Sequence, residues 1–448
     1  MIHIDHHRCA YCGGCVSVCP VEALTLAETR LVVDARCTDC GACTAACPVG
    51  ALRPESTEPT GHHFRRRYDL IVVGAGPGGS TAAHTAAQAG LSVLLLEKRQ
   101  EIGAPVRCAE GVGHDQLVPF IEPDPHWVAA EVSQAQITTI ADGETHTTRA
   151  SGGRGYVLER RVFDRVLAER AAQAGAEVRV KTAATGLLFE DGRVCGVRVR
   201  HGDYLAGNGK VELQARVVVA ADGVEAQVGR WAGLDVRLPL QDTMVCAQYL
   251  LVGIEIDPTC TCYTIGHHVA PGGYAWIFPK GEGKANVGLG VQADLWQGIG
   301  NLIPPDGTAR VGDGDVLGYL TRFIEARPFL AQGYPVTLVA GNVPVSQPPA
   351  RMVTDGLMLV GDAARQVDPL TGGGIVNAMA AGKLAAEVAV EAIAAGDTSA
   401  GSLSRYQGAW QQSVGRKMRR NYRLRDKFPP GQRTDERFVR AFALAAGG

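Results

Sequence analysis

The chain has 448 residues, 46% hydrophobic and 20% charged, with a formal net charge of -2 at pH 7. That is enough apolar material for two or three cores, and no global positive excess that would point to a nucleic-acid partner. No apolar run reaches the roughly 18 to 20 residues that cross a bilayer, and the N-terminus lacks the hydrophobic stretch of a signal peptide, so a cytoplasmic protein is expected.

Eight of the 13 cysteines fall within the first 47 residues, in two runs of the form C-x2-C-x2-C-x3-C-P: Cys9, Cys12, Cys15, Cys19 and Cys37, Cys40, Cys43, Cys47. Three closely spaced thiolates wrap one cubane, while the fourth, carried away on the next turn, reaches the cluster of the other half. The spacing therefore predicts one [4Fe–4S] cluster on Cys9, Cys12, Cys15 and Cys47 and a second on Cys37, Cys40, Cys43 and Cys19. Pro20–Leu24 is echoed by Pro48–Leu52, as a pseudo-twofold module requires. Zinc also takes CxxC pairs, but needs no interleaved fourth Cys-Pro. The pattern resembles bacterial two-cluster ferredoxins, and residues 1–54 are read as that domain. Residues 55–67, rich in Pro, Thr and basic side chains, read as a linker in which His62 and His63 are solvated.

Tyr68 to Val73 is a short β-branched run, followed by Gly74-Ala75-Gly76-Pro77-Gly78-Gly79 and an Ala-rich helix. Gly74 permits a tight turn, Gly76 lets backbone approach a pyrophosphate and Gly79 allows close helix packing, with the helix N-terminus favouring anionic phosphate. The next apolar strand ends in Glu97, where a carboxylate can accept ribose hydroxyls. Later, RVVVAADG (216–223) and GLMLVGDAARQVDPLTGGGI (356–375) each read as a strand entering a turn. Together these segments resemble the FAD fold of the aromatic hydroxylases. The resemblance implies that Asp362 meets the ribityl chain and that the helix start at Gly374 and Ile375 faces the pyrimidine end of the flavin. The predicted helix at 158–169 brings Arg160 or Arg161 toward the flavin phosphates or ribityl chain, with Arg160 matching the family position better.

APVRCAEGV (104–112), GYAWIFPKG (273–281) and the PLTGGGI ending at Ile375 resemble the geranylgeranyl reductase family, especially the branch acting on archaeal membrane lipids. The likeness runs from about Asp69 to Glu391. It implies an α/β (α+β overall) flavoprotein at 68–391, an FAD-binding Rossmann-like domain interleaved with an antiparallel-sheet substrate domain, followed by a helical region at 392–448. It further implies that Cys108, Ala109 and Gly111 contact FAD, with Gly78 at the pyrophosphate and Ala184 near the adenine. Cys108 reads as a packed flavin-face thiol or a catalytic one, and the other flavoprotein cysteines as structural thiols. Tyr274, Trp276 and Phe278 alternate, so a strand sends all three rings to one face, as a prenyl tunnel wall or as core packing. Tyr274 and Trp276 join Cys108 as catalytic-site residues. Lys280 would close the tunnel mouth, meet an anionic head group, or snorkel at the surface.

The reaction the resemblance implies is reduction of carbon–carbon double bonds in a prenyl chain, on a lipid, quinone or chlorophyll-type substrate. Electrons would come from an external donor such as a ferredoxin through the two clusters to FAD. The second reading is an electron relay to quinone, similar to electron-transfer flavoprotein–quinone oxidoreductases, without alkene reduction. Seven basic residues in 416–427 suggest a helix that rests peripherally on the inner face of the membrane, against the alternative of a solvated charged helix.

Overall fold

The computed structural model describes residues 2–6, 8–53, 66–201, 210–295 and 315–446. The expected linker lies outside the described residues as far as position 65. The N-terminal module repeats itself. Helices Gly14–Ser17 and Ala42–Ala45 are each entered through a left-handed glycine, Gly13 at φ 74° and Gly41 at φ 78°, a conformation that other residues adopt at a cost. Strand His3–Ile4 pairs antiparallel with Leu52–Arg53, so both ends of the module meet, and a hairpin joins Leu24–Ala27 to Arg30–Val33. Ile2, Leu24, Leu31, Ala51 and Leu52 form its small core together with the cysteines.

The larger part has two eight-stranded sheets. In the first, Arg67–Val73 lies between Val93–Leu96 and Lys210–Ala220, parallel to both. These strands are Val- and Leu-rich because both faces are covered. Helix Pro77–Gln88 starts at proline, whose missing N–H is unneeded there, and buries an alanine face. It crosses the 20-residue helix Ile375–Ala394 so closely that a Cβ on Gly382 would stand 2.1 Å from the Gly78 carbonyl oxygen. Gly74, at φ +106°, turns the chain from strand to helix where a Cβ would meet the Ala221 carbonyl oxygen at 2.3 Å.

The second sheet runs in the order Tyr334–Pro344, Thr243–Val252, Lys284–Gln292, Tyr274–Pro279, Cys260–Ile265, Val128–Ala141, Glu144–Leu158, Gly111–Gly113. All neighbours are antiparallel except Cys260–Ile265 with Val128–Ala141. Its first strand leaves Tyr334, Val336 and Leu338 exposed at 71%, 57% and 52%. The domain limit drawn at residue 391 falls inside helix Ile375–Ala394, and helices Ala400–Gln412, Val414–Lys427 and Glu436–Ala446 follow it. Among the described residues no helix is long and apolar enough to cross a membrane.

The module meets the flavoprotein part through Lys181. Its Nζ donates to the Cys9 carbonyl at 2.7 Å and lies 5.0 Å from the Tyr11 ring centre. Lys181 N–H is held by the Arg99 carbonyl, and Thr182 N–H by that of Glu97.

Candidate functional site

Cysteines from the two runs come together. Cys19, Cys37, Cys40 and Cys43 line one small cavity with Ile2, Leu24 and Val33. Burial pushes the Cys15 thiol up, and Cys9, Cys47 and Cys12 add to that shift. The two interleaved cysteines are held alike: Cys19 Sγ accepts Ala23 N–H at 3.2 Å and Cys47 Sγ accepts Ala51 N–H at 3.1 Å. Sulfurs gathered from both halves, dressed with backbone N–H donors and walled by apolar side chains, suit the donor set of a thiolate-held cubane.

Between the two sheets lies a cavity of about 1350 Å³. The phosphate turn contributes Gly76, Gly78 and Gly79, where no Cβ obstructs the helix start. A Cβ on Gly79 would stand 1.9 Å from the Gly74 carbonyl oxygen, whereas one on Gly76 would meet nothing within 4 Å, so the open face is on the cavity side. Gly78 serves packing as well, since its Cβ would come within 2.9 Å of the Ala378 carbonyl oxygen. Asp362, Gly374 and Ile375 line the same cavity. Burial pushes the Asp362 carboxyl up, against the pull of Arg160. A cavity of this volume that brings glycines at a helix start together with a buried carboxylate has the parts an extended dinucleotide needs.

Glu97 stands at the end of its strand, where Oε1 accepts Arg99 N–H at 2.9 Å and Oε2 accepts Ala75 N–H at 3.3 Å. Ala184 lies two residues beyond Thr182, in register with Val199. Neither lines the large cavity. Arg160 does, and its Nε and Nη2 donate to the two Asp164 oxygens, each at 2.7 Å. Burial works against its charge, but Asp164 and Cys108 raise its pKa, so it stays a cation. The pair with Asp164 uses Nε and Nη2 and holds the guanidinium at the cavity wall beside Cys108. Arg161, the alternative, pairs with Glu101 at the surface.

Cys108 opens onto the cavity with Ala109 and Gly111. Its Sγ accepts Glu110 N–H at 3.1 Å, and burial pushes the thiol up, with Arg160 opposing. Its carbonyl accepts from Gln248, whose Oε1 accepts the Trp276 indole N–H at 2.8 Å. Cys246, read from sequence as structural, also lines the cavity, and burial pushes its thiol up to about 12.

Strand Tyr274–Pro279 sends Tyr274, Trp276 and Phe278 into the cavity, while Ala275 and Ile277 pack in the core behind. The Tyr274 hydroxyl donates to the Thr371 carbonyl, and its ring lies 5.0 Å from Phe442. Phe442 and Phe438, from the last helix, close the aromatic wall. Lys280 lies at no mouth. Its Nζ is buried, 2.8 Å from Glu110 Oε2 and 3.0 Å from Glu159 Oε2, and donates to the Leu158 carbonyl at 2.5 Å. Glu110 also accepts Asn286 Nδ2 and Arg160 N–H, each at 2.7 Å. Glu110, Asn286, Gln248 and Asp368, which caps the 369–374 turn, carried no signal of their own, although Glu110 sits inside the APVRCAEGV segment.

Four family profiles match: "Geranylgeranyl reductase catalytic domain" at residues 242–301, "4Fe-4S dicluster domain" at 1–56, "NAD(P)-binding Rossmann-like domain" at 72–120 and "FAD binding domain" at 121–269. A digeranylgeranylglycerophospholipid reductase of Methanocella arvoryzae is 47% identical over 366 residues, covering 81% of this chain and 87% of that protein. The chain belongs to the geranylgeranyl reductase family. The enzyme of that name from Methanosarcina acetivorans is 50% identical over 352 residues, 78% of this chain and 81% of its own length. A geranylgeranyl bacteriochlorophyll reductase-like protein of Thermoplasma acidophilum superposes with TM-score 0.73 and 39% identity, over 84% of this chain and 96% of that one. The brominase Bmp2, at 18% identity and TM-score 0.62, shares the fold alone. This family member is accordingly a flavin-dependent oxidoreductase carrying FAD and [4Fe–4S] centres.

Proposed function

We propose that the protein saturates carbon–carbon double bonds in the geranylgeranyl chains of a lipid, with electrons entering through the N-terminal dicluster domain. The observation that carries this reading is the aromatic cavity wall of Tyr274, Trp276, Phe278 and Phe442, apolar enough for a prenyl chain and adjoining the phosphate turn and Asp362. Reduced FAD, when bound, supplies a hydride to one alkene carbon, and a proton must reach the other. In this reading Gly74, Gly76, Gly78 and Gly79 admit the pyrophosphate, Glu97 takes the ribose hydroxyls, Asp362 the ribityl chain, and Gly374 and Ile375 the pyrimidine end. Ala109 and Gly111 bring backbone against the flavin, and Ala184 lies toward the adenine. Cys108, kept as a thiol by burial and lining the cavity, supplies that proton. Tyr274 and Trp276 exclude water and hold the alkene in line. The exposed basic side chains of Val414–Lys427 would rest on an anionic membrane surface at the cytoplasmic face, each adding about 1 kcal/mol.

The test is anaerobic incubation of cluster-reduced holoenzyme with an unsaturated prenyl diether lipid, followed by mass spectrometry. A gain of two hydrogens per double bond is expected. Unchanged chains beside rapid quinone reduction would establish the relay instead.

A further inference from the structure

One charged group in the cavity has no role in the chemistry above. Arg433, in the turn between helices Val414–Lys427 and Glu436–Ala446, is only 7% exposed and lines the cavity with Phe438, Phe442 and Tyr274. Its Nε donates to the Phe428 carbonyl at 3.3 Å and its Nη1 to the Gly272 carbonyl. A guanidinium has five N–H donors, so most of its capacity is uncommitted to protein. Among the described residues no carboxylate lies within ion-pair distance of it. Asp294 acts on it only from farther off, and that carboxylate already accepts Gln292 Nε2 at 2.8 Å.

The neighbouring cation does not relieve it. Arg425 also lines the cavity, but it is matched by Asp242 at 3.1 Å and by the Gln241 carbonyl and Gln292 side chain. Burial, with the like charge of Arg425 adding, pushes Arg433 down to about 9. A buried cation without an anion is costly, and a ligand that brings the anion regains that cost on binding.

We propose that Arg433, backed by Arg425, is an anion subsite of the substrate cavity that takes the phosphate-type oxyanion at the polar end of the lipid. The inference rests on the prenyl-lipid reading and narrows it: a neutral quinone or a chlorophyll-type ester would leave Arg433 uncompensated.

The test is binding to oxidised holoenzyme, where nothing is turned over. Two unsaturated prenyl glycerol diethers are compared, one ending in phosphate and one in a free hydroxyl, with affinity read from flavin fluorescence. Wild type should prefer the phosphate form by about tenfold or more, the scale of a charge-assisted contact. The preference should collapse in Arg433→Gln and survive in part in Arg433→Lys, which also serves if the glutamine variant loses FAD. No preference in wild type, or the same preference in Arg433→Gln, overturns the proposal. So does binding of inorganic phosphate at Arg433 without discrimination between the lipids, which would mark a free-anion site, or a variant effect confined to the flavin potential. Because binding is measured without reduction, a protein that discriminates the lipids but saturates neither would fail the proposed function and not this subsite.

Discussion

Around Cys108, the side chains fall into two kinds: those facing the cavity and those fixing the loop that carries it. Glu110 belongs to the second kind. It takes Lys280, Asn286 and the Arg160 N–H while its own N–H reaches Cys108 Sγ, so one carboxylate joins the loop to two strands and a helix start. Removing one partner of a buried ion pair leaves the other charge uncompensated, which costs about 3–5 kcal/mol. Lys280→Met should therefore destabilise the holoenzyme by about that much in chemical denaturation, and Lys280→Met with Glu110→Gln should recover part of the loss. If the single variant unfolds with the wild-type midpoint, Glu110 does not depend on Lys280. None of this was legible in the sequence: Lys280 and Glu110 are 170 positions apart, and no local period links them. Lys280 reads locally as a surface lysine after a strand, and burial overrules that reading.

Elements were easier to read, because their signals are local. The alternation of Tyr274, Trp276 and Phe278 correctly placed three rings on one face, since successive side chains of a strand point to opposite sides. The glycine turn was legible for the same reason, as was the helix entered at Ile375, but not the crossing of Gly382 over Gly78, 304 residues away in the chain. Cysteine spacing reached furthest. It assigns Cys19 to the second half and Cys47 to the first, and Cys19 lines one cavity with Cys37, Cys40 and Cys43. Cys47→Ser should accordingly perturb the cluster held by Cys9, Cys12 and Cys15 and spare the other. Iron content and low-temperature electron paramagnetic resonance of the reduced protein would report this, and loss of the Cys37–Cys40–Cys43 cluster alone would reverse the assignment.

On the scale of the whole molecule, cofactor sites recur as contacts between parts. The large cavity takes its walls from both sheets and from the C-terminal helices, so no single domain owns it. The boundary at residue 391, set where the family likeness ends, separates helices that line the same cavity, because local motifs do not register which faces meet. Lys181 ties the loop of Cys9 to the strand end beside Glu97, and so joins the dicluster module to the flavoprotein part. The strand Tyr334–Pro344 stands at the other extreme, as the margin of its sheet.

That margin governs how the protein behaves in a tube. A row of backbone groups with no strand partner among the described residues, flanked by Tyr334, Val336 and Leu338, is a template for another strand, and concentrated samples should self-associate through it. Val336→Lys places a charge where natural edges carry one, and should lower light scattering at high protein concentration without altering FAD content. Equal scattering by both proteins would show that the strand is not the adhesive. Vesicle-binding assays gain from the substitution too, since colloidal stickiness and adhesion to lipid register alike in a sedimentation tube.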